Sequence, residues 1–303
     1  MSVAQKPLGF AWLEVTGFCN LTCTHCYADS SPQGTHGTMT VQDWVSVFRQ
    51  LASMGTKEVQ FIGGEPTLYP DLCELIARAH WTGLSIELFT NMTYIPKGMW
   101  RTIKKHNVKL ATSYYSDSAD DHDKVTNTRG SHRRTRANIG KAVSLGIPIR
   151  GGVVSVQAEQ RVHEAAQDLT DLGVQHVGGD RVRAFGRGSK GADPTVNDLC
   201  GHCALGQCAI GPDGSVWPCV LGRFITLGNV RETPLEEIWN SPRTAKARAE
   251  IVAATGEKAC QSCTPPQFLP SCAPCSPCVP DVGHCDPREA GPPAATATIG
   301  APA

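Results

Sequence analysis

The sequence carries no net charge, with 28 Lys and Arg against 28 Asp and Glu in 303 residues. Without a basic excess it has no electrostatic footprint for nucleic acid and no polybasic run for a membrane surface. Long apolar runs are missing too. Stretches such as Gly151–Val156 fall far short of the ~20 residues that a membrane span requires. Met1–Gly9 lacks the apolar centre of a secretory signal, so a cytoplasmic location is expected, with neither nucleic acid nor membrane as partner. In a reducing compartment the 14 cysteines are expected to serve as metal ligands or catalytic thiols rather than disulfides. They are spread unevenly. Cys19, Cys23, Cys26 and Cys73 precede residue 200, and ten more lie from Cys200 to Cys285.

Residues 10–185 alternate short strand-like runs with helical patterns. Phe10–Val15 reads as a strand, and Thr40–Met54 places Val41, Trp44, Val45, Phe48 and Leu51 at helical spacing, with Thr38 or Thr40 as cap. Strands are then expected at Glu58–Ile62, Ser85–Thr90, Lys109–Ser113, Ile147–Val156 and Val174–Val177. Helices are expected from about Pro70 to Trp81 and at Pro96–His106, Ser131–Leu145 and Gln160–Leu172. Such βα alternation implies parallel strands with right-handed crossovers. About six units are too few for an eight-fold barrel, so the expected fold is α/β, an open partial (β/α)6 barrel over residues 10–185. Residues 178–194 are glycine-rich, and 186–199 reads as a linker. Residues 200–286 are too thin in apolar side chains for an independent core and suit a small domain stapled by metal. The Pro/Ala/Gly/Thr-rich residues 287–303 read as a disordered tail.

Cys19-X3-Cys23-X2-Cys26 follows the first strand, at the end where parallel α/β folds place their ligands. Three thiolates on one compact loop suit a cubane cluster with one iron left open, whereas structural zinc completes its tetrahedron. His25 as a fourth zinc ligand is awkwardly placed between two cysteines. After the second strand comes Gly63-Gly64-Glu65-Pro66.

Together these motifs resemble the radical S-adenosylmethionine (SAM) superfamily over residues 10–185. The resemblance implies that Cys19, Cys23 and Cys26 hold a [4Fe–4S] cluster whose open iron is chelated by the amino and carboxylate groups of SAM. Gly63 and Gly64 would let the backbone approach the cofactor, and Glu65 would accept from its ammonium. Pro66 completes the motif. His25 stands where the family usually has an aromatic near the adenine. Thr90 and Asn91 match positions of ribose contact, and Ser113 a serine that contacts the methionine carboxylate. Many relatives carry an acid two positions after that serine. This chain has Tyr115, a proton-donor candidate by position alone. His122-Asp123 and Gly130-Ser131 match helix-entry scaffolding, and Cys73 reads as a small buried hydrophobe.

Cys203-X10-Gly214-X4-Cys219 resembles the start of a SPASM domain, the auxiliary-cluster extension of many radical SAM enzymes. Leu227-Gly228-Asn229 and Leu235–Pro242 fit that domain as well. Cys260-X2-Cys263 opens its second half, after which the spacing departs from the family at Cys272, Cys275, Cys278 and Cys285. One or two auxiliary [4Fe–4S] clusters are expected. The nearer would take Cys203, Cys208, Cys219 and a cysteine from 272–278, and the farther Cys260, Cys263, Cys272 and Cys285. Cys200 is counted among the auxiliary ligands with no place assigned, since ten cysteines exceed the eight that two cubanes need. Zinc is the alternative for this region.

The resemblance implies one-electron cleavage of SAM to a 5′-deoxyadenosyl radical that abstracts hydrogen from substrate, with an external electron donor. SPASM relatives most often modify peptides by crosslinking, epimerisation or side-chain oxidation, so a peptide substrate is expected. Cys19 comes so early that either a separate leader-binding protein or direct binding of the peptide by the core is expected. Tailoring of a sugar or nucleoside is the alternative activity, and an iron–sulfur scaffold the alternative without catalysis. Arg181, Arg183 and Arg187 form the basic stretch near the site, read as holding a substrate carboxylate or phosphate, or as a solvated loop.

Overall fold

The computed structural model describes residues 6–255. Cys260, Cys263, Cys272, Cys275, Cys278, Cys285 and the expected tail lie outside the described residues. Six strands, β1 (Phe10–Thr16), β2 (Glu58–Gly63), β3 (Ser85–Phe89), β4 (Lys109–Tyr114), β5 (Ile149–Ser155) and β6 (His176–Arg181), run parallel in sequence order. Between them come the helices α1 (Val41–Ser53), α2 (Leu72–Trp81), α3 (Lys97–Lys105), α4 (Ala119–Thr126), α5 (Ser131–Ser144) and α6 (Val162–Asp171). The sheet is open, as the sequence implies.

In β2 and β3 apolar residues of the helix-side core (Val59, Phe61, Ile86, Leu88) alternate with polar ones (Glu58, Gln60, Glu87) that are buried as well. All seven residues of β1 are buried. Ala11, Leu13 and Val15 join the core beneath the helices, while Phe10 and Trp12 face the concave side. Of the two threonines proposed to cap α1, Thr40 does so. Its hydroxyl accepts from the Asp43 amide at 3.2 Å, and Asp43 accepts from the Thr40 amide at 2.8 Å. The expected helix-entry pair also forms. Asp123 accepts from the Ser131 hydroxyl at 2.8 Å and from the His132 amide at 2.9 Å at the start of α5.

Three features differ from the expectation. Helix α4 was not foreseen, because ADDHDKVT has almost no apolar stripe and buries only His122, Val125 and Thr126. Strand β6 runs on through Gly178-Gly179 to Arg181, because main-chain pairing with β5 needs no side chain. The cysteine-rich segment extends the same sheet. Its strand β7 (Gln207–Ile210) pairs in parallel with β1, Phe10 opposite Gln207 and Leu13 opposite Ile210. An antiparallel pair, β8 (Ser215–Trp217) and β9 (Gly228–Asn229), continues the sheet to nine strands. Helices α7 (Leu235–Asn240) and α8 (Pro242–Thr255) follow. Among the described residues no helix is long and apolar enough to cross a membrane.

Candidate active site

The carboxyl ends of the parallel strands open into a cleft. Cys19, Cys23 and Cys26 line it together with Gly63, Gly64, Asn91, Ser113, Tyr115 and His25. The cysteine loop is fixed by main-chain bonds, among them Cys19 N to Ser31 O at 3.0 Å and Thr24 N to Val125 O at 3.0 Å. A cation reaches it from far along the chain. Arg187 donates from Nε to Cys23 O at 2.8 Å, from Nη2 to Ser30 O at 2.7 Å and from Nη1 to Asp29 Oδ1 at 2.7 Å. Its amide adds a bond to Cys26 O at 3.0 Å. The stretch 186–199, read as a linker, thus begins by clamping the cysteine loop.

Burial, then the nearby Glu65, pushes the Cys19 thiol up to about 12. Cys23 is raised further, by burial and then by Cys26 and Cys19. Three mutually repelling thiolates out of water need a compensating positive charge, which iron supplies. Among the described residues no three His, Cys, Asp or Glu side chains converge as a single ion requires. A cubane makes no such demand, because each thiolate binds a different iron. The donor set therefore fits an iron–sulfur cluster.

The glycine pair is needed for a reason the sequence did not give. A Cβ on Gly63, whose φ is +139°, would lie 2.3 Å from Thr16 O, and one on Gly64 would lie 2.1 Å from Phe18 O. The turn is zipped onto the end of β1 by Gly64 N to Thr16 O at 2.7 Å and Glu65 N to Phe18 O at 2.8 Å. Glu65, Pro66 and Thr90, expected at the cofactor, do not line the cleft. The buried Glu65 accepts instead from Thr67 N (3.1 Å), Thr67 Oγ1 and Thr90 Oγ1 (2.6 Å each) and Asn91 N (2.7 Å). It ties the turn after β2 to the end of β3. Pro66 opens the short 3-10 turn Pro66–Leu68 beside it.

His25 meets Tyr115 edge-on at 5.0 Å, and its Nδ1 is buried without a partner. Burial, and then Arg187, holds its pKa down to about 4, so it is a neutral flat ring at pH 7. Burial raises the Tyr115 phenol well above its ordinary range, against a hydrogen bond with Ser113, and keeps it protonated.

A second set of thiols lies on the concave side. Cys203 and Cys219 place their sulfurs 2.8 Å apart, and Cys200 bonds to Cys203, all packed with Phe10, Trp12 and Trp217. Cys208 does not join them. On β7 side chains alternate, so Cys208 points with Ile210 into the core beneath the helices while Ala209 faces the thiols. Burial alone pushes Cys208 up to about 12. The third thiol of this set is Cys200, which the sequence reading counts among the auxiliary ligands without a place.

A family model described as the radical SAM superfamily matches residues 13–169. The chain belongs to the radical SAM superfamily. A second model, the iron–sulfur cluster-binding SPASM domain, matches residues 200–264. SAM and [4Fe–4S] clusters, auxiliary ones included, come with these two domains. AlbA of Bacillus subtilis, an antilisterial bacteriocin subtilosin biosynthesis protein, is 27% identical over 271 residues, 78% of this chain and 60% of AlbA. Fe-coproporphyrin III synthase of Methanosarcina barkeri is 30% identical over 127 residues, 42% of this chain and 31% of that protein. The chain thus spans less than two thirds of these relatives. The structure of Streptococcus suis SuiB bound to its precursor peptide SuiA matches with a TM-score of 0.67 at 17% identity, over 82% of this chain and 68% of SuiB.

Within this radical SAM fold, Tyr27, Glu14 and Arg223 were not singled out by sequence. Tyr27 lines the cleft, and its buried hydroxyl has no partner. Arg223, from the SPASM segment, pairs with the buried Glu14 on β1 and lies over the rings of Tyr27 (5.9 Å) and Trp217 (4.9 Å). The usable signal was Glu14 itself, a carboxylate inside an apolar strand. Arg181 and Arg183 line the cleft, with Arg183 3.4 Å from Asp180. Cys73 packs against the helix-side core, as a small hydrophobe would.

Proposed function

We propose that this chain cleaves SAM reductively and uses the radical to abstract hydrogen from a peptide in ribosomal peptide maturation. The observation that carries the reading is the meeting of Cys19, Cys23 and Cys26 with Gly63, Gly64, His25 and Ser113 in one cleft. A cluster held by the three thiols would supply one electron to SAM, generating the 5′-deoxyadenosyl radical. The chain's own residues do the rest. Gly63 and Gly64 leave bare backbone at the cleft wall, Ser113 offers a hydroxyl, and the neutral His25 ring presents a flat face to a base. Tyr115 and Val154 cover the inner wall and exclude water, while Asp180, Arg181 and Arg183 form a charged side of the cleft facing a substrate. Cys200, Cys203 and Cys219 would hold an auxiliary cluster with a ligand from further along the chain.

A peptide substrate is supported by the bacteriocin named for AlbA and by the precursor peptide held in SuiB. An external electron donor completes the proposed system. The test is anaerobic incubation of the reconstituted protein with SAM, reductant and precursor peptides encoded beside its gene, followed by mass spectrometry. The expected result is peptide of altered mass together with 5′-deoxyadenosine. If 5′-deoxyadenosine forms while every such peptide stays unchanged and a small molecule is consumed, the peptide reading fails.

A further inference from the structure

Asn91 lies at the end of β3, and all of its polar groups are committed. Its amide donates to Glu65 Oε2 at 2.7 Å, and its carbonyl accepts from Thr135 Oγ1 at 2.8 Å. Its side-chain Oδ1 accepts from Thr93 N at 2.8 Å and from Thr93 Oγ1 at 2.6 Å. A carboxamide oxygen has two lone pairs, and both are used. On the other side, Nδ2 donates to Asn20 Oδ1 at 2.9 Å. Asn20 Nδ2 donates in turn to Thr93 Oγ1 at 2.9 Å, closing a ring of three side chains.

That ring fixes which way the amide points. Reversing Asn91 would set its NH2 against the Thr93 amide and its oxygen against Asn20 Oδ1, so the main-chain donor at Thr93 decides the orientation. One Nδ2 hydrogen goes to Asn20, and the other is left facing Cys19 Sγ at 3.9 Å. Cys19 also receives the Leu21 amide at 3.4 Å. Two N–H donors therefore converge on this sulfur, one of them locked by a side-chain ring.

We propose that Asn91 is a positioning residue for the cluster rather than a contact to SAM: its locked amide donates to the Cys19 thiolate and raises the reduction potential of the site. The inference rests on Cys19 being a cluster ligand, as in the proposed function. A donor on a ligating sulfur withdraws charge and favours the reduced, more negative state. The carboxamide oxygen has no lone pair left to accept from a ribose hydroxyl, which separates this role from the one expected from sequence.

The test is an EPR-monitored redox titration of the reconstituted full chain, alongside SAM binding by calorimetry. Asn91→Ala should shift the midpoint of the Cys19/Cys23/Cys26 cluster to more negative potential, with the dissociation constant for SAM within about twofold of wild type. Thr93→Val opens the side-chain ring while keeping the amide and the main-chain donor that orients it, and should give a smaller shift of the same sign. It also serves if Asn91→Ala does not fold. An unchanged midpoint in both variants overturns the proposal, as does an unchanged midpoint with tenfold weaker SAM binding. If wild type itself shows no cluster signal dependent on the three cysteines, the function above fails instead, and the two failures are told apart.

Discussion

Removal of the Arg187 side chain should loosen the cysteine loop by a calculable amount. Arg187→Ala deletes two bonds from a charged donor to main-chain carbonyls, Cys23 O and Ser30 O, and one ion pair to Asp29. Bonds to charged donors contribute about 1.5 kcal/mol each at the lower end. The Asp29 side chain is 69% exposed, so that pair adds less than about 1 kcal/mol. The sum is about 3–4 kcal/mol. For a chain of this size it lowers the melting temperature of the cluster-free protein by roughly 10 °C, at about 3 °C per kcal/mol. Arg187→Lys recovers less than half, because one ammonium cannot fork to carbonyls on both sides of the loop. Differential scanning fluorimetry on apo-protein, with iron content after reconstitution, reads both effects. A melt within about 2 °C of wild type and equal iron would refute the clamp.

Gly64→Ala should abolish cluster binding, since its Cβ would meet Phe18 O at 2.1 Å, main chain that cannot move without displacing the cysteine loop. Normal iron content in that variant would contradict it. Cys208→Ala should cost about 1 kcal/mol in urea melts and leave the iron unchanged, whereas Cys200→Ala should lower the auxiliary iron. The reverse pattern would restore the assignment read from sequence. His122 gives a pH dependence. Burial, helped by His132, holds its pKa down to about 4 from an ordinary 6.5. As pH falls the unfolded chain protonates first, so stability is lost between about pH 6.5 and 4, reaching roughly 3 kcal/mol at the acid end. His122→Gln should flatten that part of the urea-midpoint curve, and an equally steep curve would count against this account.

What the sequence made legible was local. Cys19, Cys23 and Cys26 share one short loop, and the glycine pair sits at a strand end, so motif and position coincide. The βα rhythm was readable because buried strands and amphipathic helices carry their periods within a few residues. Contacts across the chain were not readable. Arg187 lies 164 residues from Cys23, and nothing in a glycine-rich run says that it will clamp a loop. The choice between Cys200 and Cys208 depends on which face of a four-residue strand each occupies, and spacing alone carries no such information. Glu65 shows a different limit. Its motif was recognised, yet its carboxylate is taken by Thr67, Thr90 and Asn91, whose convergence needs the folded sheet.

The central claim is that Cys19, Cys23 and Cys26 hold the cluster that cleaves SAM. It is tested by anaerobic reconstitution of wild type and of a Cys19/Cys23/Cys26→Ala triple variant, measuring iron per chain and 5′-deoxyadenosine formed under reductant. The account predicts that the variant loses about four irons, keeps its auxiliary iron and forms no 5′-deoxyadenosine. A triple variant that retains all its iron, or that still cleaves SAM, would contradict it.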